Sequence, residues 1–281
     1  MTEELLFDAL GPVGRARLRA ASIASGVLVA AVSAAMLGQL GHLGQLDAER
    51  WAILVDPAYL GFLLAGLRMT LLVGLVATAI SAAAGVLLAL GRLSRRRWLS
   101  LPTAAAIEFL RAMPLLLILF FVMFGLPILG VRLPMFWQLV LAIVAHAGAI
   151  FAEIVRAGIL AIGRGQREAG EALGLRAGQV MRHVVLPQAL RALTPALIGQ
   201  MVRVIKESSL GYVVGLAELL RDGQVLGDFT GYFIQAYAGV GVIYIVVNIA
   251  LSRLAERLAE RRGPLIGTGG RAAQRRVLER V

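Results

Sequence analysis

Six stretches of this chain are apolar for long enough to cross a lipid bilayer, and nothing else constrains the fold as strongly. They are residues 20–41, 62–91, 104–130, 135–160, 190–216 and 236–255. At a helical rise of about 1.5 Å per residue, roughly 20 residues cover the ~30 Å of hydrocarbon. The expected fold is therefore all-α, a polytopic membrane helix bundle of about six transmembrane helices. Composition agrees. The chain is 59% hydrophobic and 16% charged, with a mean hydropathy of +0.80, whereas a soluble domain is roughly half apolar and about a quarter charged. There is no cysteine, which excludes a disulfide framework, a thiolate metal site and a cysteine nucleophile. His42, His146 and His183 lie far apart with no ligand spacing. No clustered nucleophile, acid–base pair or metal set marks an enzyme, so no catalytic residue and no metal ligand is assigned.

Arginine placement orients the bundle. Arg15, Arg17 and Arg19 precede the first run, and Arg92, Arg95, Arg96 and Arg97 separate the second from the third. Arg156, Arg164, Arg167, Arg176, Arg182 and Arg191 surround the stretch between the fourth and fifth, and more lie from Arg253 to the end. The opposite side carries Arg50, Arg132 and Arg221 beside Asp47, Glu49, Asp56, Asp222 and Asp228. The basic side is cytoplasmic by the positive-inside rule, with both termini on it. The net charge of +11 thus reads as topology control rather than nucleic-acid binding. The first run, with its Ser33-Ala34-Ala35, has the look of a signal peptide but outruns a signal core, and we read it as a retained helix. The organisation expected is an N-terminal segment with the first span and outer loop over 1–57, a transmembrane domain over 58–260, and a basic cytoplasmic tail over 261–281, read as a mobile surface segment with contact to anionic lipid as the alternative.

One cytoplasmic block departs from the apolar text: GQREAGEALGLRAGQVMRHVVLP, residues 165–187. Gln166 to Leu173 are mostly good helix formers. Gly174 can adopt the positive φ that ends a helix, a second short helix is expected over 176–183, and Pro187 suits the first turn of the next span. The result is a stiff elbow between two membrane helices. Its spacing resembles the EAA loop of ATP-binding-cassette importer permeases: Glu-Ala-Ala, three residues, Gly, nine residues, an aliphatic, any residue, Leu-Pro. Here Glu168-Ala169-Gly170 is followed by three residues to Gly174, nine residues to His183, and Val184-Val185-Leu186-Pro187. Gly170 replaces the second alanine. Arg111-Ala112-Met113-Pro114, Glu153-Ile154-Val155-Arg156-Ala157-Gly158-Ile159 and Lys206-Glu207-Ser208-Ser209-Leu210 extend the likeness over 60–260. These resemble the polar-amino-acid (histidine, glutamine and glutamate) permease branch, where the stretches commonly read Arg-Gly-Thr-Pro, Glu-x-x-Arg-Gly-Gly-Ile and Lys-Asp-Thr-Ser-Leu, with most likeness to glutamate-type permeases of high-GC Gram-positive bacteria.

The resemblance implies a type I importer fold of five core helices plus the N-terminal span, in a bacterial plasma membrane. It implies a second permease subunit, with a heterodimer favoured over a homodimer, a dimer of ATPase subunits holding the ATP and magnesium, and an extracytoplasmic binding protein. No cofactor is expected in this chain, because it contains no P-loop. The loop residues expected to meet the ATPase are Gln166, Arg167, Glu168, Ala169, Gly170, Leu173, Gly174 and Leu175. The best substrate reading is glutamate. A secondary carrier driven by an ion gradient is the alternative, but neither an internal repeat nor midplane acids for ion coupling are visible.

Charges within spans are costly and mark function by default. Glu108 with Arg111, and Glu153 with Arg156, stand three apart on one helix face, either as interfacial pairs closing the bundle or as an inner gate. Arg203, Lys206, Glu207 and Ser208 lie deeper, in the fifth run. Lys206 and Glu207 diverge by about 100° and cannot form one facing pair. Arg203 and Lys206 suit an anionic or zwitterionic substrate, with the hydroxyls of Ser208 and Ser209 as donors. His146 and Gln138 are expected to bond neighbouring helices. Pro114, Pro127 and Pro195 are expected to kink their spans and free carbonyls that need partners.

Overall fold

In the computed structural model, residues 11–260 are described; the expected tail and the first ten residues lie outside them. Two units partition the chain, Met1–Asp56 and Pro57–Val281. The first holds α1 (Pro12–His42) and the short α2 (Ala48–Trp51), whose Trp51 indole N–H donates to Gln45 O at 2.9 Å.

In the second unit, α3 (Pro57–Arg92) runs for 36 residues. Residues 69–91 carry no charge, and Arg68 and Arg92 bracket them, a spacing that matches ~30 Å of hydrocarbon. Then come α4 (Arg97–Ala112), α5 (Leu115–Phe120), a π turn over Phe121–Gly125, α6 (Leu126–Ile128) and α7 (Met135–Ala161). The polar block forms α8 (Arg164–Ala172) and α9 (Ala177–Val180). A second π turn, Met181–Val185, leads into α10 (Leu186–Ala192) and α11 (Thr194–Glu207). A 3-10 turn over Ser208–Tyr212, α12 (Leu219–Thr230) and α13 (Phe233–Glu260) complete the described chain.

The buried face of α3 is a helical stripe of mostly small residues, Gly66, Thr70, Gly74, Ala77, Ser81, Gly85 and Ala89, which lets another backbone approach closely. It packs along α7, and Val73, Leu119, Leu139, Val140, Ile143, Phe151 and Val204 fill the core between them and their neighbours.

Among the described residues, four helices are long and apolar enough to span a membrane: Ala16–His42, Pro57–Arg92, Met135–Ala161 and Phe233–Leu254. The bent pair Arg97–Ala112 and Leu115–Ile128, angled at 103°, makes a fifth if it counts as one span. The break falls at Pro114. Lacking an N–H, that proline leaves Leu110 O without its helical donor, and His146 Nδ1 donates to it at 3.1 Å, which requires the Nδ1–H tautomer. His146 therefore bonds a neighbouring helix, as expected, whereas Gln138 Nε2 donates to Leu133 O, just before its own helix, at 2.8 Å. Pro127 and Pro187 each follow a π turn. The wide turn moves the upstream carbonyl away from the proline ring.

The run 190–216 is not one helix. Pro195 starts α11 afresh after Leu193, and the chain then turns inside the bundle. Ser208, Gly211, Val214, Leu216 and Glu218 are buried. Irregular backbone at membrane depth is tolerated only where protein surrounds it and its polar groups find partners. Those partners are present. Ser208 Oγ donates to Ile205 O at 2.6 Å and Ser209 Oγ to Lys206 O at 2.8 Å. At the far side Leu219 N–H donates to Thr70 Oγ1 at 3.1 Å and Arg221 N–H to Glu218 Oε1 at 2.9 Å.

Candidate functional site

The elbow between α7 and α10 is built as two arms joined at Gly174. The first arm begins two residues earlier than expected and ends at Ala172. Gly174 adopts φ +77°, a region most residues resist. Leu175 N–H donates to Gly170 O at 3.2 Å and Gly174 N–H to Glu171 O at 2.9 Å, the paired closure of a Schellman motif. The second arm is not the isolated helix expected over 176–183. Its α9 runs through the π turn into α10, because the wide turn lets the helix continue past Pro187.

Gly170 has a steric reason. It is buried against Val180, and a methyl group in its place would stand 3.0 Å from Val180 Cγ2. The glycine lets the two arms close on each other. The elbow is also tied to its surroundings. Arg167 Nη2 donates to Ile159 O near the end of α7 at 3.1 Å, and Gln188 Nε2 to Gln166 Oε1 at 3.1 Å. Leu175 packs with Val155, Ile159, Val180, Val185 and Ala189. Arg167, Gly170 and Leu175 thus face inward and hold the elbow. Glu168, Ala169 and Gly174 face outward, and Leu173 at the apex is 82% exposed.

A second cluster gathers Arg92, Glu108, Arg111, Glu153 and Arg156. Glu153 takes Arg156 in a fork, Nη2 at 2.9 Å and Nε at 3.1 Å to Oε2, and Arg92 Nη1 at 2.7 Å to Oε1. Arg111 Nη1 lies 3.8 Å from Glu153 Oε2, and Arg92 Nη2 bonds Glu108 Oε1 at 2.9 Å. The pairing of Glu153 with Arg156 follows the helical spacing. That of Glu108 with Arg111 does not: Glu108 turns to Arg92, and Arg111 to Glu153. Arg92 is the residue the sequence reading missed. As the basic end of a long span it signals only topology, and its role needs α3, α4 and α7 side by side.

A third feature opens beside the broken span. A cavity of about 580 Å³ is lined by Lys206, Ser209, Leu220, Tyr244, Ile245, Asn248 and Ile249. Such a volume accommodates a small ligand. Lys206 is its one charged wall. Asn248 Nδ2 donates to Tyr244 O at 2.6 Å, while its Oδ1 is buried without a hydrogen bond. No ion pair joins Lys206 to Glu207, and Glu207 Oε2 is buried without a hydrogen bond. Ser208 is fully buried, its hydroxyl donating to Ile205 O, and Ser209 lines the cavity. Arg203 is absent from this lining. On α13 the polar lining is Tyr244 and Asn248, four apart on one helix face.

Among the described residues, an all-helical bundle with a broken span beside a cavity, and a compact elbow between two of its helices, suits a membrane transport component. Residues 81–263 match the family model described as binding-protein-dependent transport system inner membrane component, and the chain belongs to that family. It is 35% identical over 158 residues to the probable glutamine ABC transporter permease protein GlnP of Bacillus subtilis, covering 55% of this chain and 72% of that one. It is 36% identical over 219 residues to the glutamate transport system permease protein GluD of Corynebacterium glutamicum, covering 76% and 80%. Among solved structures, an amino acid ABC transporter crystallised with histidines matches at a TM-score of 0.68 and 33% identity, over 73% of this chain and 95% of that one. The inward-facing methionine transporter MetNI, at 24% identity and a TM-score of 0.58, shares the fold.

Proposed function

We propose that this chain is the permease subunit of an ATP-driven importer of polar amino acids, with glutamate as its substrate. The observation that carries this reading is the elbow: its stiff closure at Gly174, its outward Leu173 and its tie through Arg167 to the end of α7. A handle of this kind passes motion from a soluble motor to a membrane helix as a rigid body. The family match and the amino-acid permeases among the relatives support the same reading.

In this account Glu168, Ala169, Leu173 and Gly174 seat in an ATPase subunit, and Gln166, Arg167, Gly170 and Leu175 hold the seat in shape. A dimer of ATPase subunits binds ATP and magnesium, an extracytoplasmic protein delivers the amino acid, and a second, non-identical permease subunit completes the path. Both termini are cytoplasmic. The network of Glu108, Arg111, Glu153, Arg156 and Arg92 closes the cytoplasmic part of the bundle. The substrate passes the Lys206 cavity, where the ammonium group pairs with a carboxylate and Asn248 Oδ1 is an acceptor for the α-ammonium group. Arg203 and Glu207 line the path on either side of Lys206 in sequence.

Uptake of labelled glutamate by the reconstituted complex tests the cavity. Lys206→Ala at matched expression is expected to slow uptake by about tenfold, the loss of one charge-assisted hydrogen bond. Full retention of uptake removes Lys206 from the path.

A further inference from the structure

Two walls of the Lys206 cavity are set by a residue that does not line it. Glu218 is fully buried, and its carboxylate draws together three helices. Its Oε2 accepts from Thr70 Oγ1 on α3 at 3.2 Å and from the Tyr244 hydroxyl on α13 at 3.1 Å. Its Oε1 accepts from Arg221 N–H in the first turn of α12 at 2.9 Å. Thr70 shares its proton with Gly66 O at 3.2 Å, and its oxygen accepts from Leu219 N–H at 3.1 Å. The space around the carboxylate is closed: a methyl group at Gly211 would stand 3.0 Å from Glu218 Cγ. Leu220, two residues after Glu218, and Tyr244, bonded to it, both line the cavity.

We propose that Glu218 is a positioning residue of the transport cavity, locking the start of α12 and the Tyr244 ring to α3 and so fixing the gap between two cavity walls. The proposal rests on the reading that this cavity takes the amino acid. A helix N-terminus buried at membrane depth attracts an anion through its free N–H groups. Glu218 occupies that place with the protein's own carboxylate. The α12 terminus is then closed to the carboxylate of a substrate, and Lys206 is left as the cation facing the cavity. An acid suits this junction because it accepts several bonds at once from hydroxyl and backbone donors.

The absence of cysteine from this chain makes the wall measurable when the label is read on this subunit after the labelled complex is separated into its chains. A cysteine replacing Ser209 is labelled with a thiol reagent in the parent, in Glu218→Ala and in Tyr244→Phe, and uptake is measured in the same three backgrounds with Ser209 intact. Both variants are expected to change the labelling rate severalfold and to lower uptake by about tenfold, since each leaves buried groups without a partner. Labelling and uptake equal to the parent in both variants would overturn the proposal. Should Glu218→Ala not assemble, Tyr244→Phe, which removes one hydroxyl and keeps the ring, decides alone. Altered labelling in Glu218→Ala together with full uptake in Lys206→Ala would keep Glu218 as the wall's anchor while removing the cavity from the path.

Discussion

Glu153 accepts from Arg92 and Arg156 and lies within ion-pair reach of Arg111. With 17% of its side chain exposed, it is too sheltered for water to replace those bonds fully. Glu153→Gln keeps the shape and removes the charge, leaving three arginines without their shared counter-ion. It is expected to cost on the order of 2 kcal/mol, seen as a lower melting temperature of the purified complex, with Arg92→Ala moving the same way. An unchanged melting temperature would reduce the network to a surface ornament. At this scale the sequence was legible only where partners are close along the chain. Arg156 follows Glu153 by three positions and is found by helical spacing. Arg92 precedes it by 61, and only the packing of α3 on α7 brings them together. Ser208 shows a nearer partner: beside a turn, its hydroxyl donates to the backbone carbonyl of Ile205.

Among the elements, breaks were easier to read than the way they are healed. Pro114, Pro127, Pro187 and Pro195 all mark interruptions, since a ring without an N–H cannot continue a regular helix. The healing depends on distant or adaptive partners: His146 takes the carbonyl freed at Leu110, and π turns precede Pro127 and Pro187. Gly174 was legible as the hinge of the elbow because few other residues hold φ +77°. Gly170 was a departure from the EAA pattern until the second arm was seen against it. Replacing Gly174 by Leu strains the turn, and replacing Leu173 by Asp puts a charge on the apolar apex. Both are expected to leave the chain in the membrane while lowering substrate-stimulated ATP hydrolysis by about tenfold. Full stimulation in both would place the motor contact elsewhere. Gly170→Ala is expected to be nearly neutral, because a gain in helix propensity of up to ~1 kcal/mol offsets the tight approach to Val180.

For the whole molecule, hydropathy yields a helical bundle, but the third run is bent by 103° and the fifth is broken by a buried turn. Its residues are apolar enough for one span, but two serines, Gly211 and Gly215 turn the chain inside the protein. Hydropathy averages cannot see a turn whose polar groups are satisfied by neighbours. The same turn places Lys206 at a cavity and Glu218 in a sealed junction, so the interruption and the cavity belong together. The central claim is that an ATPase drives this bundle through its elbow. Glutamate uptake by proteoliposomes holding both permease subunits, the ATPase and the binding protein tests it most directly. The account predicts accumulation that needs ATP on the cytoplasmic side and survives ionophores that collapse ion gradients. Uptake by the membrane subunits alone, driven by an imposed ion gradient and indifferent to ATP, would contradict it.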